Sequence, residues 1–333
     1  MTRNMKRTEL PINGELPLVS VVIPTYNRRE DLRVCLESVF VQNYAQYEVL
    51  VIDDSSNDGT KEMIEANFPA VVYVEKHQRT GVSGTKNLGI NRSHGQYVWF
   101  LDSDAQVPNS SVMENFVSIF EMDDSIGSAG GEMIDVGGNR YLRIFRILNN
   151  ELRFLISEID DSFKLKQVEW LTTCNCFVRR ALLIEIGGFE EEYFYCCEDS
   201  ELSMRIRKLG YRIVVDPGVF VLHKRSNVSR TANYKLFHVN RIRFLIKSYG
   251  PFILLLLPFI EAWSILKSAR LFTTIDLKDL RGVSEEDRSK LCGKFTLGLS
   301  YLLWFVYGYF WNVVMLPMTL KSKYRPKNYL SSV

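Results

Sequence analysis

Hydrophobic and polar positions follow two alternating patterns over the first hundred residues. Short apolar runs rich in β-branched and aromatic side chains predict buried strands at 19–23, 47–52, 71–75 and 96–101. Polar segments with apolar residues at helical spacing predict helices at 31–43, from Thr60 onward and at 84–94. Strands that alternate with helices in this way predict an α/β domain with parallel strands.

The pattern continues less regularly to about residue 225. It predicts helices over 110–122 and 198–209, the second one stopped by Gly210, and a tight strand or turn at 127–131. Residues 139–168 read as connecting structure beside a substrate cleft. Short strands are expected at 211–215 and 219–222, separated by a turn at 216–218, and the second ends at His223.

The last third of the chain is much more apolar. Residues 295–318 carry no charge and are rich in aromatic residues, which is long enough to span a bilayer. A second candidate segment, 249–266, contains Pro258 and Glu261, so it is expected to span, re-enter or lie flat. The alternative is a pair of helices in a soluble core. Flanking cations, including Arg241, Arg243 and Lys247, favour a cytoplasmic N-terminal domain.

These patterns divide the 333 residues into three predicted parts. Residues 1–16 are expected to be a flexible leader, because they lack the apolar core of a signal peptide. Residues 17–232 form the predicted catalytic domain, and residues 233–333 form a membrane-associated helical region. A formal net charge of +2 gives no reason to expect nucleic-acid binding.

The cysteines allow two interpretations. Cys174 and Cys176, with the adjacent pair Cys196 and Cys197, could in principle form a zinc cluster, but neither pair has the usual spacer of a structural zinc site. Packing of free thiols in the core, in a reducing compartment, is the preferred interpretation.

Two acidic motifs follow predicted strands. Asp102-Ser103-Asp104 follows the strand at 96–101, and Asp53-Asp54 ends the strand at 47–52. Ligands of such sheets bind at the carboxyl ends of the strands, so both motifs are expected at one edge. Neighbouring carboxylates repel each other unless a cation lies between them. Mg²⁺ and Mn²⁺ prefer oxygen ligands and can bind carboxylate and phosphate oxygens at the same time. The pattern favours an enzyme that acts on a nucleotide diphosphate; a solvated acidic turn is the alternative.

Four blocks together resemble the family 2 glycosyltransferases, inverting enzymes with the nucleotide-diphospho-sugar-binding GT-A fold. They are residues 19–28 (VSVVIPTYNR), residues 51–60 (VIDDSSNDGT), the triplet 102–104 (DSD), and Gly187-Gly188-Phe189 with Glu198-Asp199. The layout after Gly187 looks most like the rhamnosyltransferase-type members. The resemblance implies a Rossmann-like mixed sheet flanked by helices, followed here by C-terminal membrane-associated helices.

The resemblance also implies roles for particular residues. Those expected to bind the donor are Pro24, Thr25, Tyr26, Asp54, Lys86, Asn87, Asp102 and Ser103. Asp54 would accept a hydrogen bond from uracil or thymine, because a carboxylate suits an imide N–H. The donor is therefore expected to be UDP- or dTDP-linked. Asp104 would bind the metal, and His223 matches the histidine that binds metal in many relatives.

On the acceptor side, Asp199 matches the catalytic base that deprotonates the acceptor hydroxyl. The alternative for Glu198-Asp199 is a helix N-cap, which acidic residues suit electrostatically. Possible contacts to the acceptor or to phosphate are Asn175, Glu198, Arg225 and Arg230.

The expected protein is a metal-dependent inverting glycosyltransferase at the cytoplasmic face of the cell membrane. It would transfer a sugar to a glycan or a lipid-linked acceptor, as in the synthesis of cell-envelope polysaccharides. Three alternatives stay open: a non-catalytic membrane scaffold with the same fold, a processive polysaccharide synthase, and a nucleotidyltransferase. A scaffold would not need the four aspartates of the predicted site, which are Asp54, Asp102, Asp104 and Asp199. A synthase usually carries a Gln-x-x-Arg-Trp motif, which is absent from the sequence.

Overall fold

The computed structural model describes residues 16–135, 144–146, 155–157, 165–224, 231–273, 302–324 and 329–332. Most of the predicted leader, most of the connecting region at 139–168, Arg225 and Arg230 lie outside the described residues. So do residues 295–301, the first part of the longer apolar segment.

The first four strands form a parallel half-sheet with the spatial order β3-β2-β1-β4. The strands are β1 (Val19–Thr25), β2 (Tyr47–Asp53), β3 (Val72–Glu75) and β4 (Tyr97–Leu101). The helices between them are α1 (Arg29–Val39), α2 (Thr60–Asn67) and α3 (Gly81–Arg92). All four predicted strands are confirmed. Helices α1 and α3 begin two and three residues earlier than predicted, respectively, because contacts from the loop after β2 hold the chain at both starts.

The other half of the sheet is mixed. Its strands are β5 (Ala105–Gln106), β6 (Ile126–Asp135), β9 (Lys166–Val168), β10 (Asn175–Arg179) and β11 (Arg212–His223). β10 runs antiparallel to both β4 and β6, whereas β6 and β11 are parallel. Two further short strands, β7 (Ile144–Arg146) and β8 (Leu155–Ser157), pair separately. The interpretation of a parallel sheet therefore holds for the first half only.

Helices cover both faces of the sheet. Successive residues of β1 point to opposite faces, so Val21 joins the cluster under α1 and α4 (Val112–Met122), while Val22 joins the opposite cluster. The opposite cluster packs against α3, α5 (Arg180–Glu185) and α6 (Glu198–Lys208). The strands are apolar throughout because both of their faces are buried.

Strand β11 corrects one expectation. The Asp-Pro-Gly sequence at 216–218 predicts a turn between two strands, but both halves pair with β6 and the ladder shifts register between Asp216 and Phe220. The segment is therefore a bulge within one strand. Gly131 of β6 faces it, and a Cβ there would lie 2.5 Å from the carbonyl oxygen of Val219, so only glycine allows this approach.

The described residues after the sheet form the helices α7 (Thr231–Tyr249), α8 (Ile253–Thr273), α9 (Leu302–Val314) and α10 (Leu316–Tyr324). A short 3₁₀ segment, Tyr329–Ser332, ends the described chain. Within the described residues, no single helix has the length and apolar character to cross a membrane. Helices α9 and α10 satisfy that test only as a pair, and they are bent by 68° relative to each other.

Two cations of the membrane-flanking set have partners inside the protein. Arg241 of α7 pairs with Glu261 of α8 at 2.6 Å between Nη2 and Oε1, and both side chains are almost fully buried. Lys247 pairs with the buried Glu190 of the loop before α6. These two residues therefore carry no positive-inside signal, because their charges are neutralised within the fold.

Candidate active site

Three strands bring the acidic motifs to one sheet edge, as expected. Thr25 of β1 lies in register with Asp53 of β2, and β4, on the other side of β1, ends at Leu101 just before the triplet. Adjacent parallel strands end at the same edge, so residues after β1, β2 and β4 must surround one cleft.

The triplet meets His223 across the sheet. β11 pairs with β5 so that His223 lies opposite Ala105, immediately after Asp104. His223 Nε2 lies 3.3 Å from Asp104 Oδ1 and 3.9 Å from Asp102 Oδ2. The ligand atoms of Asp102, Cys174 and His223 also lie within 4.8 Å of one another. We call Asp102, Asp104 and His223 the tip cluster.

Charge repulsion and burial give the three side chains of the tip cluster different pKa values. Burial raises the pKa of Asp102, Lys86 only partly offsets this, and Asp104 adds to it. Burial acts on Asp104 in the same direction, but the hydrogen bond with His223 and the charge of Arg28 outweigh it, so its pKa is lowered. The bond to Asp104 raises the pKa of His223. The tip cluster therefore places two carboxylates with oppositely shifted pKa values beside one imidazole.

The tip cluster fits a hard divalent cation. Two carboxylates and an imidazole are suitable ligands for Mg²⁺ or Mn²⁺. Cys174 is a poor fourth ligand for such a metal, because burial raises the pKa of its thiol well above the ordinary value and keeps it protonated. Among the described residues, Cys35, Cys174 and Cys176 are buried free thiols, in agreement with core packing.

Arg28, which the sequence analysis did not assign, contacts the tip cluster directly. Its Nη1 lies 2.7 Å from Asp104 Oδ2 and 3.4 Å from Asp31 Oδ2. The residue directly precedes α1 and so belongs to the same strand-end loop as Tyr26. The only sequence signal for this role of Arg28 was its position at the end of the first family-like block, residues 19–28.

A second acidic group lies at the start of α6, and we call it the helix cluster. It contains Lys86, Thr173, Glu198 and Asp199. Lys86 Nζ lies 3.5 Å from Glu198 Oε1 and 3.7 Å from Asp199 Oδ1. The ammonium also donates to the Thr173 hydroxyl, which in turn donates to Asp199 Oδ1 at 2.7 Å. Thr173 was missed because residues 165–174 match no motif.

The helix cluster is internally neutralised, and Lys86 and Glu198 are buried in it, whereas Asp199 is partly exposed. Burial, and then the charge of Asp199, raises the pKa of Glu198 to about 7. Burial alone would lower the pKa of Lys86, but Asp199 and Glu198 outweigh it and raise that pKa. Lys86 therefore stays charged, and it holds two carboxylates that would otherwise repel each other.

The start of α6 is shaped by the backbone rather than by an acidic cap. Cys196 and Cys197 both have left-handed φ angles, 68° and 70°, and Cys197 occupies the cap position. Glu198 and Asp199 begin the helix, where negative charge suits its dipole. The side chain of Asn240 in α7 fixes the preceding turn by donating to the carbonyl oxygens of Tyr195 and Cys196. Asp199 is thereby directed toward Thr173.

On the expected base-binding side, Asp54 holds the loop before α3. Its two carboxylate oxygens accept the backbone N–H groups of Thr80 and Gly81 at 2.9 and 3.1 Å. Gly81 has φ +73°, and a Cβ there would strike Phe194, so the residue at this position must be glycine. Arg79 lies 3.7 Å above the ring of Tyr26. An aromatic ring, a cation and a carboxylate thus lie close together after β1, β2 and β3.

The remaining predicted residues lie around these groups. Thr25 and Ser103 are buried at the strand ends. Asn87 bonds both backbone groups of Phe189 and so holds the Gly-Gly-Phe turn, while Asn175 Oδ1 accepts from Trp99 Nε1. Pro24 is the penultimate residue of β1.

Comparison with known proteins identifies the class. The family model described as "Glycosyl transferase family 2" matches residues 20–187, half of the chain. The chain therefore belongs to glycosyl transferase family 2, which confirms the predicted family and enzyme class.

One relative at the sequence level is Glycosyltransferase AglE of Haloferax volcanii. It is 31% identical over 220 residues, which cover 64% of this chain and 68% of AglE. The putative teichuronic acid biosynthesis glycosyltransferase TuaG of Bacillus subtilis is 37% identical over 93 residues, which cover 26% of this chain and 36% of TuaG. The similarity to TuaG is thus confined to about a quarter of this chain.

A solved structure shows the fold. Mannosyltransferase PcManGT from Pyrobaculum calidifontis, in complex with GDP-Man and Mn²⁺, has a TM-score of 0.57 at 20% identity. The match covers 94% of this chain and 89% of PcManGT. The predicted GT-A fold is confirmed.

Proposed function

We propose that this chain is an inverting glycosyltransferase that moves a sugar from a nucleoside-diphosphate donor to an acceptor hydroxyl. The observation that supports this most is that the two acidic clusters adjoin: the backbone N–H of Asp102 donates to the carbonyl oxygen of Cys174, and the preceding residue, Thr173, donates to Asp199. One cluster suits a cation and a diphosphate, and the other presents a carboxylate to an incoming hydroxyl.

Asp199 is the proposed base. The acceptor oxygen attacks the anomeric carbon while its proton passes to Asp199, and the bond from that carbon to the donor diphosphate breaks with its electron pair on the leaving group. Thr173 orients the carboxylate by its hydrogen bond. Attack opposite the leaving group inverts the configuration at the anomeric carbon.

Asp104 and His223, with Asp102 facing the donor, would hold the divalent cation. When bound, such a cation offsets the negative charge of the leaving diphosphate. Tyr26 and Asp54 line the proposed base pocket, and we infer a UDP- or dTDP-linked donor because a carboxylate pairs well with the imide of uracil or thymine.

The proposed acceptor is a glycan or a lipid-linked sugar, and we propose that the enzyme meets it at a membrane surface. Helices α8 and α9 and the turn before α8 expose large apolar side chains, among them Phe252 of that turn at 77%, Phe259 at 75% and Val314 at 75% of full exposure. An exposed apolar face of this extent marks an interaction surface. We propose that it lies on the cytoplasmic face of the cell membrane, and that the enzyme acts in cell-envelope polysaccharide synthesis, as the rhamnosyltransferase-like sequence layout suggests.

The deciding experiment incubates the protein with a panel of nucleotide sugars and a short glycan acceptor, with Mn²⁺ or EDTA. Release of nucleoside diphosphate that requires Mn²⁺, with an inverted anomeric centre by NMR, supports the proposal. Release of inorganic pyrophosphate would show nucleotidyl transfer, and long products from single encounters would show a processive synthase. No turnover of any donor would favour the scaffold.

Membrane attachment has a separate test. Phe259→Asp should reduce co-sedimentation with vesicles of anionic and zwitterionic phospholipid, because it places a charge in the apolar face. Met122→Asp changes an equally apolar exposed residue, 59% exposed on α4, and should leave sedimentation unchanged. Equal binding by both variants and the wild type would contradict the proposed surface.

A further inference from the structure

Arg28 lies between two carboxylates at the mouth of the cleft. Its Nη1 contacts Asp104 at 2.7 Å and Asp31 at 3.4 Å, so one guanidinium nitrogen is shared between them. Asp31 is in the first turn of α1 and also pairs with Lys224 at 2.7 Å. The carboxylate expected to bind the metal is therefore already engaged by a cation from the chain itself.

Asp104 Oδ1 faces His223 and Oδ2 faces Arg28, so a divalent ion bound by this carboxylate would lie close to the guanidinium, and like charges at close range repel. A divalent ion on Asp104 must therefore displace the Arg28 guanidinium, or bind more weakly while it stays. Resting on the proposed metal-dependent function, we propose that Arg28 is an internal competitor of the divalent cation for Asp104, and that it transfers to Asp31 when the cation binds.

The local geometry suits such an exchange. The backbone of Arg28 is fixed, since its carbonyl oxygen accepts the N–H of Leu32 at the start of α1. The side chain is one-third exposed, so its guanidinium can rotate without disturbing the core. The second acceptor, Asp31, is already within reach, and the exchange therefore leaves no charge without a partner.

Such an internal cation has a purpose in the resting enzyme. It neutralises Asp104 beside Asp102 until a metal arrives, which limits repulsion within the tip cluster. It also sets a threshold for metal occupancy, because part of the binding free energy is used to displace Arg28. The guanidinium and Asp31 thus regulate the affinity of the site without being ligands themselves.

The test is a titration with Mn²⁺ alone, without donor, in which electron paramagnetic resonance measures free Mn²⁺. Arg28→Met should bind Mn²⁺ about tenfold more tightly than the wild type, since a charge-assisted contact is lost. Asp31→Asn should bind it about threefold more weakly, because Arg28 then has only Asp104 to contact. That weakening should largely disappear in the Arg28→Met background.

Arg33→Met is the matched control. Arg33 lies in α1, five residues after Arg28, and its ion pairs among the described residues are with Glu30 and Glu37 rather than with the tip cluster. Its loss removes the same charge from the same region of the chain. Equal tightening in Arg33→Met and Arg28→Met would overturn the inference, because the effect would then be one of net charge.

The remaining outcomes separate this inference from the proposed function. Unchanged or weaker Mn²⁺ binding by Arg28→Met overturns the inference and leaves glycosyl transfer untouched. Tighter Mn²⁺ binding by Arg28→Met, with no sugar transfer by the wild type or any variant, supports the inference and contradicts the proposed function. Binding of Mn²⁺ by neither protein overturns the inference together with the metal requirement.

Discussion

The two acidic clusters of the cleft solve the same electrostatic problem in opposite ways. In the tip cluster, Asp104 is neutralised by Arg28, a one-third exposed side chain with a second partner available. In the helix cluster, the carboxylates are neutralised by Lys86, whose side chain is only 2% exposed. One counter-cation is replaceable, and the other is part of the fold.

Under the proposed function, this difference assigns ion exchange to the tip cluster and proton transfer to the helix cluster. A replaceable cation would allow a metal and a diphosphate to enter and leave with each turnover. A fixed cation keeps a base carboxylate in one place and in one electrostatic environment. The predictions below test that contrast, beginning with the largest expected effect.

Asp199→Asn should lower kcat about a thousandfold, because general base catalysis contributes in the range of a hundredfold to ten-thousandfold. Donor binding, measured by calorimetry with Mn²⁺, should change less than twofold. Asp216→Asn, in the β11 bulge, is the control and should keep full activity. Normal turnover by Asp199→Asn would refute the assignment of the base.

Lys86→Met should lower the free energy of unfolding by about 3–5 kcal/mol at pH 8, because it leaves the buried Glu198, and Asp199 beside it, without a counter-charge. Urea unfolding measures the loss. Lys61→Met removes a half-exposed pair with Glu75 and should cost less than about 1 kcal/mol. Similar losses in both variants would show that Lys86 is no more fixed than a surface cation.

Glu198→Gln should change how stability depends on pH. The pKa of Glu198 is raised to about 7 in the folded protein, so the native state holds a proton between pH 4.5 and 7 that the unfolded state has released. The wild type therefore loses stability from this group as pH rises through that window, by about 3 kcal/mol, and the variant does not.

The measurement is urea unfolding of wild type and Glu198→Gln at several pH values. Glu190 also has a pKa of about 7, so only the difference between the two proteins isolates Glu198. A difference that stays constant from pH 4.5 to 8 would mean that Glu198 is not held neutral.

Thr173→Val should lower kcat about tenfold with little change in the KM for the donor, because one oriented hydrogen bond to Asp199 is lost. Thr173→Ser should restore activity, since the hydroxyl returns. Thr172→Val is the neighbouring control, because its hydroxyl contacts Met133 rather than the helix cluster. A fall in the Ser variant equal to that in Val would point to packing instead.

Local sequence was sufficient to predict a strand wherever both faces of that strand are buried, because burial on both faces requires apolar residues throughout. The runs at β1, β2 and β4 could be assigned as strands because apolar, β-branched or aromatic residues fill them and acidic residues follow β2 and β4. The convergence of Asp54 and Asp104 followed from sheet geometry alone. The start of α6 at Glu198 was likewise visible.

Contacts between distant segments could not be predicted in this way. Arg28 meets Asp104 across 76 residues, and Thr173 meets Lys86 across 87. Neither residue type is unusual in its own neighbourhood, so only the packed fold reveals the role. The bulge at 216–218 was misjudged for the same reason, because pairing with β6 overrides the local preference for a turn.

The C-terminal helices also contact the loop that leads to α6. Lys247 neutralises buried Glu190, Asn240 fixes the turn at Tyr195, and Tyr329 binds Glu192 and the carbonyl oxygen of Gly187. Recombination between relatives at the predicted boundary, residue 232, would separate these partners. A chimera that exchanges the tail must exchange residues 187–197 with it, so the acceptor-side loop and the tail are expected to evolve as one unit.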